Sequence, residues 1–410
     1  MDCGISFRGI EKVFNLFGDL DSQTTPSFSS VRKWLARIGI YELTREKEHR
    51  DDWIFIVDFT LELGKQKALV ILGVPQDKFI EIVANNKKGL SHENVEVLAI
   101  EIMNSTRGEF IEKALDRVSE KVGVPIQIVA DNSSDLARGI KLYSQKYPNL
   151  IYTHDVTHGM ALLLKYQLDS NDRYQSFIKR CTITRQRLQQ TELYFLAPPA
   201  QRSQCRYFNI ERLTDWGINL LNSSTETLME LLPNVDDSVI LPKIKDKLGW
   251  LANFQSDLMH WSQMASLTRS VETQLKSQGI NQKSLKIFEK SQLIFTDANL
   301  QNFQQKLREY ITTQSEKIQD ERTFLATSDV IESLFGKYKQ FSTRCPFKEM
   351  GQMLLTICIS TMDLTTTVIK NALETISFED VEAWLEEVFG QSMLSKRRAL
   401  FSTAADTKTV

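Results

Sequence analysis

Between about residue 50 and residue 165 the chain changes its hydrophobic period, and this change limits the possible folds more than any other feature. WIFIVDFTLELGKQKALVILGV reads as two strands with a turn near Glu62 to Lys65, and VEVLAIEIMN, residues 95 to 104, reads as a third. RGEFIEKALDRVSEKVG then sets Phe110, Ile111, Ala114, Leu115 and Val118 on one helical face. PIQIVAD is a fourth strand ending at Asp131, and SSDLARGIKLYSQKYP is a helix with a serine cap. LIYTHD is a fifth strand ending at Asp155, after which THGMALLLKYQL opens another helix. Three meandering strands followed by strand–helix units imply an α/β architecture, a mixed five-stranded sheet with helices on its faces.

The rest of the chain is helical in period. In residues 1–48, Phe7, Ile10, Val13, Phe14 and Phe17 have helical spacing. After a polar turn, Val31, Trp34, Leu35 and Ile38 repeat it behind Ser27, Ser29 and Ser30 as candidate caps. Two short helices with Arg32, Lys33 and Arg37 outward fit a DNA-binding helix-turn-helix; the alternative is a helical hairpin packed on the next domain. Residues 49–165 form the first part of the sheet domain, and 166–322 an all-helical block with breakers at Pro198, Pro199, Pro233 and Pro242. Residues 323–410 return to the core and end in helices, among them TSDVIESLFGKYKQF, capped by Thr327 or Ser328, one over about 348 to 372, and SFEDVEAWLEEVFG with a capping box.

Composition removes several classes. The 410 residues carry 50 Lys and Arg against 52 Asp and Glu, with 42% hydrophobic residues, which excludes a disordered chain, a collagen, a membrane bundle and a uniformly basic coat. The five cysteines, Cys3, Cys181, Cys205, Cys345 and Cys358, include no CxxC pair, arguing against a structural zinc site or a disulfide framework and for a reducing compartment. Arg8, Glu11 and Lys12 interrupt the N-terminus, so no secretory signal is expected, and no apolar run approaches the ~20 residues of a membrane span.

The acidic residues carry the chemistry. Asp58 stands inside an apolar strand, where a charge is costly to bury unless something pairs with it, a metal ion or a Lys or Arg. Asp131 ends the fourth strand, where open α/β sheets build sites; it could also cap the following helix, and Asp135 is a rival. Glu332 begins a helix after the helical block; it could be a surface residue, with Glu321 in the charged stretch KIQDER as its rival. Three carboxylates converging from strand one, strand four and a late helix can hold two divalent ions ~3.5 to 4 Å apart for in-line phosphoryl displacement. Oxygen ligands favour Mg2+ or Mn2+.

The strand order, Asp58, Asp131 and the late Glu332 resemble the RNase H-like core of DDE transposases. Asp155-x-x-His158 is similar to the C/D-x2-H signature of those with an all-helical insertion, the hAT and Mutator-like groups. IVADNSSDLARGI and SDVIESLFGKYK are similar to motif cores of bacterial insertion-sequence transposases. Over residues 50 to 345 the resemblance implies an RNase H-like sheet interrupted by a large helical insertion. It also implies a transposase that cleaves element ends and joins the freed 3′-OH to target DNA, with two Mg2+ or Mn2+ per site on Asp58, Asp131 and Glu332. Implied partners are DNA ends, target DNA and further copies of the chain, with no membrane; the implied setting is a bacterial cytoplasm, at the nucleoid. The alternatives are an RNase H-like nuclease or resolvase, and a domesticated non-catalytic DNA-binding regulator.

Asp155 and His158 then stand near the centre or contact DNA, unless they only cap their own helix. Lys337 and Lys339 reach flanking phosphates or are plain surface charges. A DNA enzyme with net charge -2 must concentrate its positive charge, and residues 165–212 hold nine Lys and Arg against four Asp and Glu. Arg180, Arg185 and Arg187 are the expected phosphate contacts there, against the alternative of a solvated face. Trp250 and Trp261 lie in an apolar stripe with Leu251, Phe254 and Leu258 and read as core rather than as base-stacking residues; Trp216 is open.

Overall fold

The five strands form one sheet in the order β3-β2-β1-β4-β5. β1 (Trp53–Leu63) pairs antiparallel with β2 (Gln66–Pro75), which pairs antiparallel with β3 (Glu96–Met103). On its other side β1 runs parallel to β4 (Gln127–Ala130), and β4 parallel to β5 (Ile151–His154). This is an α/β, RNase H-like sheet flanked by helices. The structure, a computed structural model, describes residues 5–18, 25–63, 66–86, 89–200, 210–232, 236–291, 295–318, 321–342, 351–391 and 393–402. The turn between β1 and β2, Pro233, Arg202, Arg206, Cys3, Cys205 and Cys345 lie outside them. Among the described residues no helix is long and apolar enough to cross a membrane.

The chain divides into two units, residues 1–155 with 277–279 and 323–410, and residues 156–276 with 280–322. In the first unit α1 (Phe7–Gly18) and α2 (Phe28–Thr44) precede the sheet. α3 (Gln76–Asn86) lies between β2 and β3, α4 (Gly108–Val122) before β4, and α5 (Ser134–Lys146) before β5. α3 is absent from the sequence reading. Only Phe79 of its short QDKFIEIVANN pattern is fully buried, so its apolar signal is thin.

Period-2 alternation sorts the two faces of the sheet. Trp53, Phe55 and Val57 point to Ile111, Leu115 and Val118 of α4 and Ile140 of α5. Ile54 and Ile56 point the other way, to Ile331, Leu334 and Phe335 of α14 (Asp329–Ser342) and Ile357 of α15 (Leu355–Ile359). A further helix, expected over about 348 to 372, is two: α15 ends at Ile359 and α16 (Thr366–Thr375) restarts behind Thr365, whose Oγ1 accepts from the Val368 N–H at 3.3 Å. The Thr- and Asp-rich TMDLTTT between them favours a cap over helix continuation. α17 (Phe378–Phe389) has the expected capping box between Ser377 and Asp380, and α18 (Met393–Ser402) follows.

α1 and α2 belong to the first unit rather than standing apart. Ala36 and Ile40 pack with Leu355 and Val381, and Ile38 packs with Ile359 and Ala372. A Cβ on Gly39 would come within 2.8 Å of the Leu355 carbonyl oxygen, so this glycine permits close contact of α2 with α15. α2 therefore packs on C-terminal helices of the same unit.

The second unit is helical: α6 (Val156–Asp169), α7 (Asp172–Leu188), α8 (Ile210–Asn222), α9 (Thr225–Glu230), α10 (Asp237–Leu248), α11 (Gln255–Gln278), α12 (Ser284–Ser291) and α13 (Ala298–Ser315). It begins at Val156 rather than at 166, because α6 packs on α13: a Cβ on Gly159 would meet the Tyr310 ring at 2.5 Å. α10 continues through Pro242, an expected breaker. Trp261 is buried, in edge contact with Tyr174, and near Phe177 and Phe254; Trp250 is half-buried beside the same two phenylalanines. Trp216 is half-buried and donates from Nε1 to the Leu196 carbonyl at 3.0 Å.

Candidate functional site

Asp58 follows Ile54 and Ile56 on the alternation of β1, which places it on the face that α14 covers. The last rung between β1 and β4 pairs Val57 with Ala130, so Asp58 and Asp131 follow one residue later on neighbouring strands. Asp131 Oδ1 accepts from the Ser133 N–H at 3.1 Å in a turn that leads into α5, and Tyr152 donates to the Asp131 carbonyl at 2.9 Å. Both carboxylates are half-buried, and Glu332 is exposed on the first turn of α14.

These groups act on one another. Burial first, and then the negative charge of Asp131, push the Asp58 carboxyl up to about 7; Glu332 and Asp155 add smaller pushes, and the Phe59 N–H, 2.7 Å from Oδ1, favours the ionised form. The rivals stand elsewhere: Asp135 is hydrogen-bonded by the Thr106 hydroxyl, and Glu321 is exposed. Among the described residues no three His, Cys, Asp or Glu side chains are gathered closely enough to hold one ion.

The raised carboxyl has a thermodynamic consequence. Folded Asp58 holds its proton more tightly than unfolded Asp58, so its contribution is fully present below about 4 and is lost as pH rises through about 7. In chelator, stability is expected to fall by about 1.4 kcal/mol per pH unit across this window relative to Asp58→Asn. Parallel melting curves for the two proteins across pH 4 to 7 would contradict the placement of Asp58.

The means of holding Glu332 escaped the sequence reading. Residues 323–328 precede α14, and a row of buried polar groups fastens them to the sheet. Gln76 Nε2 donates to the Thr323 carbonyl at 2.7 Å. Gln127 donates to the Leu325 carbonyl at 2.7 Å and accepts from the Leu325 N–H at 3.0 Å, and the Thr153 hydroxyl donates to the same carbonyl at 3.2 Å. Asp155 Oδ2 accepts from the Ser328 N–H at 2.6 Å and from the hydroxyls of Ser328 and Thr327 at 3.0 and 3.1 Å. Asp155, only 1% exposed, thus caps the start of α14. The available signal was a glutamine in IQIVA and a threonine in IYTH, polar residues inside apolar strands that alternation puts on one face.

The remaining expected residues separate. His158 is half-buried on the first turn of α6, in the second unit. Lys339 returns to within about 20° of the Glu332 direction on α14, while Lys337 lies about 140° away. Gly336, one turn beyond Glu332, has open space where a side chain would stand. Gly336→Ala is therefore expected to stabilise the chain by about 0.5–1 kcal/mol. A lowered denaturation midpoint would show that the space is not open.

Two of the arginines expected to contact DNA are engaged within the protein. Arg37 is half-buried, and its guanidinium donates to the Ile376 and Leu373 carbonyls, closing the C-terminal end of α16. Arg185 donates to the Pro198 carbonyl at 2.7 Å and lies over the Tyr194 ring. Both guanidiniums are drawn inward by unpaired carbonyls at helix and loop ends. Arg32 is exposed, Lys33 lies 4.4 Å over the Phe378 ring, and Arg180 and Arg187 are exposed on α7.

Fold and site together describe an RNase H-like α/β unit with an acidic edge and a separate helical unit. No protein-family model matches the chain, and no curated protein matches it. Among solved structures it is similar to the Drosophila P element transposase strand transfer complex, with a TM-score of 0.36 and 11% identity over 87% of this chain and 89% of that one.

Proposed function

We propose that this chain is a DNA transposase of the DDE type, cleaving strands at element ends and joining a 3′-OH to target DNA. The observation that carries the reading is that Asp58 and Asp131 follow the last shared rung of the neighbouring strands β1 and β4, with the negative charge of Asp131 and, more weakly, that of Glu332 felt at Asp58. An all-carboxylate set that raises the affinity of its own buried member for a proton suits hard divalent cations. Asp58, Asp131 and Glu332 would hold two Mg2+ or Mn2+, which when bound activate the attacking oxygen and stabilise the leaving one. The chain's own contribution is placement: β1 and β4 fix the two aspartates, and the buried polar row fixes the helix that carries Glu332. Joining two ends calls for at least two centres, so a homo-oligomer on DNA is part of the proposal, as is a bacterial, nucleoid-associated setting.

The test is incubation of the full chain with supercoiled plasmid carrying its gene and flanking DNA, with Mg2+, with Mn2+ and with chelator. Metal-dependent nicking followed by joined products is expected. Nicking without joining would favour the nuclease alternative, and binding without nicking in any metal would favour the regulator.

A further inference from the structure

The second unit contains a groove of about 460 Å³ between α7, α10 and the turn that follows α10. Lys179, Arg180 and Arg187 enter it from α7, and Lys247 enters from α10. Helical spacing puts Arg180 and Arg187 on one stripe of α7, with Lys179 beside it. Asp246 is the one carboxylate in the lining. Among the described residues Lys179, Arg180 and Arg187 have no carboxylate within ion-pair distance, whereas Arg173 on the same helix is bound to Asp257. Arg180 and Arg187 stand two turns apart on that stripe, about 10 Å along the helix axis, a spacing that can follow successive phosphates of a strand.

The wall of the groove is fixed. Trp250 lines it and donates from Nε1 to the Thr184 hydroxyl at 2.9 Å and to the Lys247 carbonyl at 3.0 Å. The Arg180 guanidinium lies 5.8 Å over the indole ring. Lys247 Nζ donates to the Arg187 carbonyl at 3.3 Å, which ties α10 to the end of α7. A half-buried indole beside four cations joins the two elements that bind nucleic-acid strands, a surface that follows the backbone and a π-face.

We propose that this groove is a phosphate-binding site for a nucleic-acid strand and that it binds without the acidic centre. The class of ligand rests on the reading under Proposed function; the cations and the groove do not. Of the arginines expected from sequence, Arg180 and Arg187 belong to this site, while Arg185 does not line it.

The test uses the full chain in chelator with a labelled single-stranded oligonucleotide, titrated at several salt concentrations. K179E/R187E changes two exposed side chains and is expected to weaken binding about tenfold near 0.1 M salt and to reduce the salt slope by about 1 to 2. As an independent measurement on the wild type, acetylation of Lys179 is expected to slow when the oligonucleotide is present. Wild-type affinity and slope in K179E/R187E, or undiminished Lys179 acetylation, overturns the site. Protection of Lys179 by a free nucleoside triphosphate but not by the oligonucleotide also overturns it, since the ligand would then be a mononucleotide. A chain that binds through these residues but never cleaves DNA leaves the groove established and removes the transposase reading.

Discussion

Asp131→Asn is expected to lower metal-dependent strand cleavage by about a thousandfold, a loss of several kcal/mol of transition-state stabilisation. The substitution keeps shape and keeps an acceptor for the Ser133 N–H, so the turn into α5 survives. It removes one negative charge beside Asp58. That charge is the largest electrostatic contribution holding Asp58 toward its protonated form, after burial. The metal-free variant should therefore be at least as stable as the wild type at neutral pH, even though it is inactive. Loss of activity with retained or increased stability is what a ligand position predicts, whereas a structural cap predicts loss of both. Asp58→Asn and Glu332→Gln are expected to show the same loss of cleavage. Cleavage at wild-type rate in Asp131→Asn would end the DDE reading, because the neighbouring acid, Asp135, is already engaged by Thr106.

Much of this centre was legible before the fold. Alternation along WIFIVDFT already sets Asp58 with Ile54 and Ile56, and strand endings locate Asp131 and Asp155. These are local signals, carried by a period of two and by polar residues at strand ends. The attachment of residues 323–328 is not local. It joins Gln127 to Leu325 and Asp155 to Ser328 across the whole helical unit, and no spacing rule links positions so far apart. The inward turn of Arg37 and Arg185 was hidden for a related reason. A helical wheel shows which way an arginine leaves its helix, but not whether unpaired carbonyls of a distant segment wait there.

Asp155→Ala is expected to destabilise the chain by about 3 kcal/mol and, in the fraction that stays folded, to lower cleavage about 10- to 100-fold. The buried carboxylate takes three hydrogen bonds on one oxygen, and its removal leaves the Ser328 N–H and two hydroxyls without that acceptor. Its charge also stands at the amino end of α14, where a negative group stabilises a helix. Loosening that end moves Glu332, one turn away, and a displacement of about 1 Å is enough to cost two orders of magnitude in rate. Asp155→Asn retains one acceptor and is expected to fall between the wild type and Asp155→Ala in both stability and cleavage. If Asp155 acts through Glu332, its effect on cleavage should largely vanish in a Glu332→Gln background, while its effect on stability should persist. Full additivity of the two substitutions in cleavage would mean that Asp155 acts on the reaction by a route other than the position of α14.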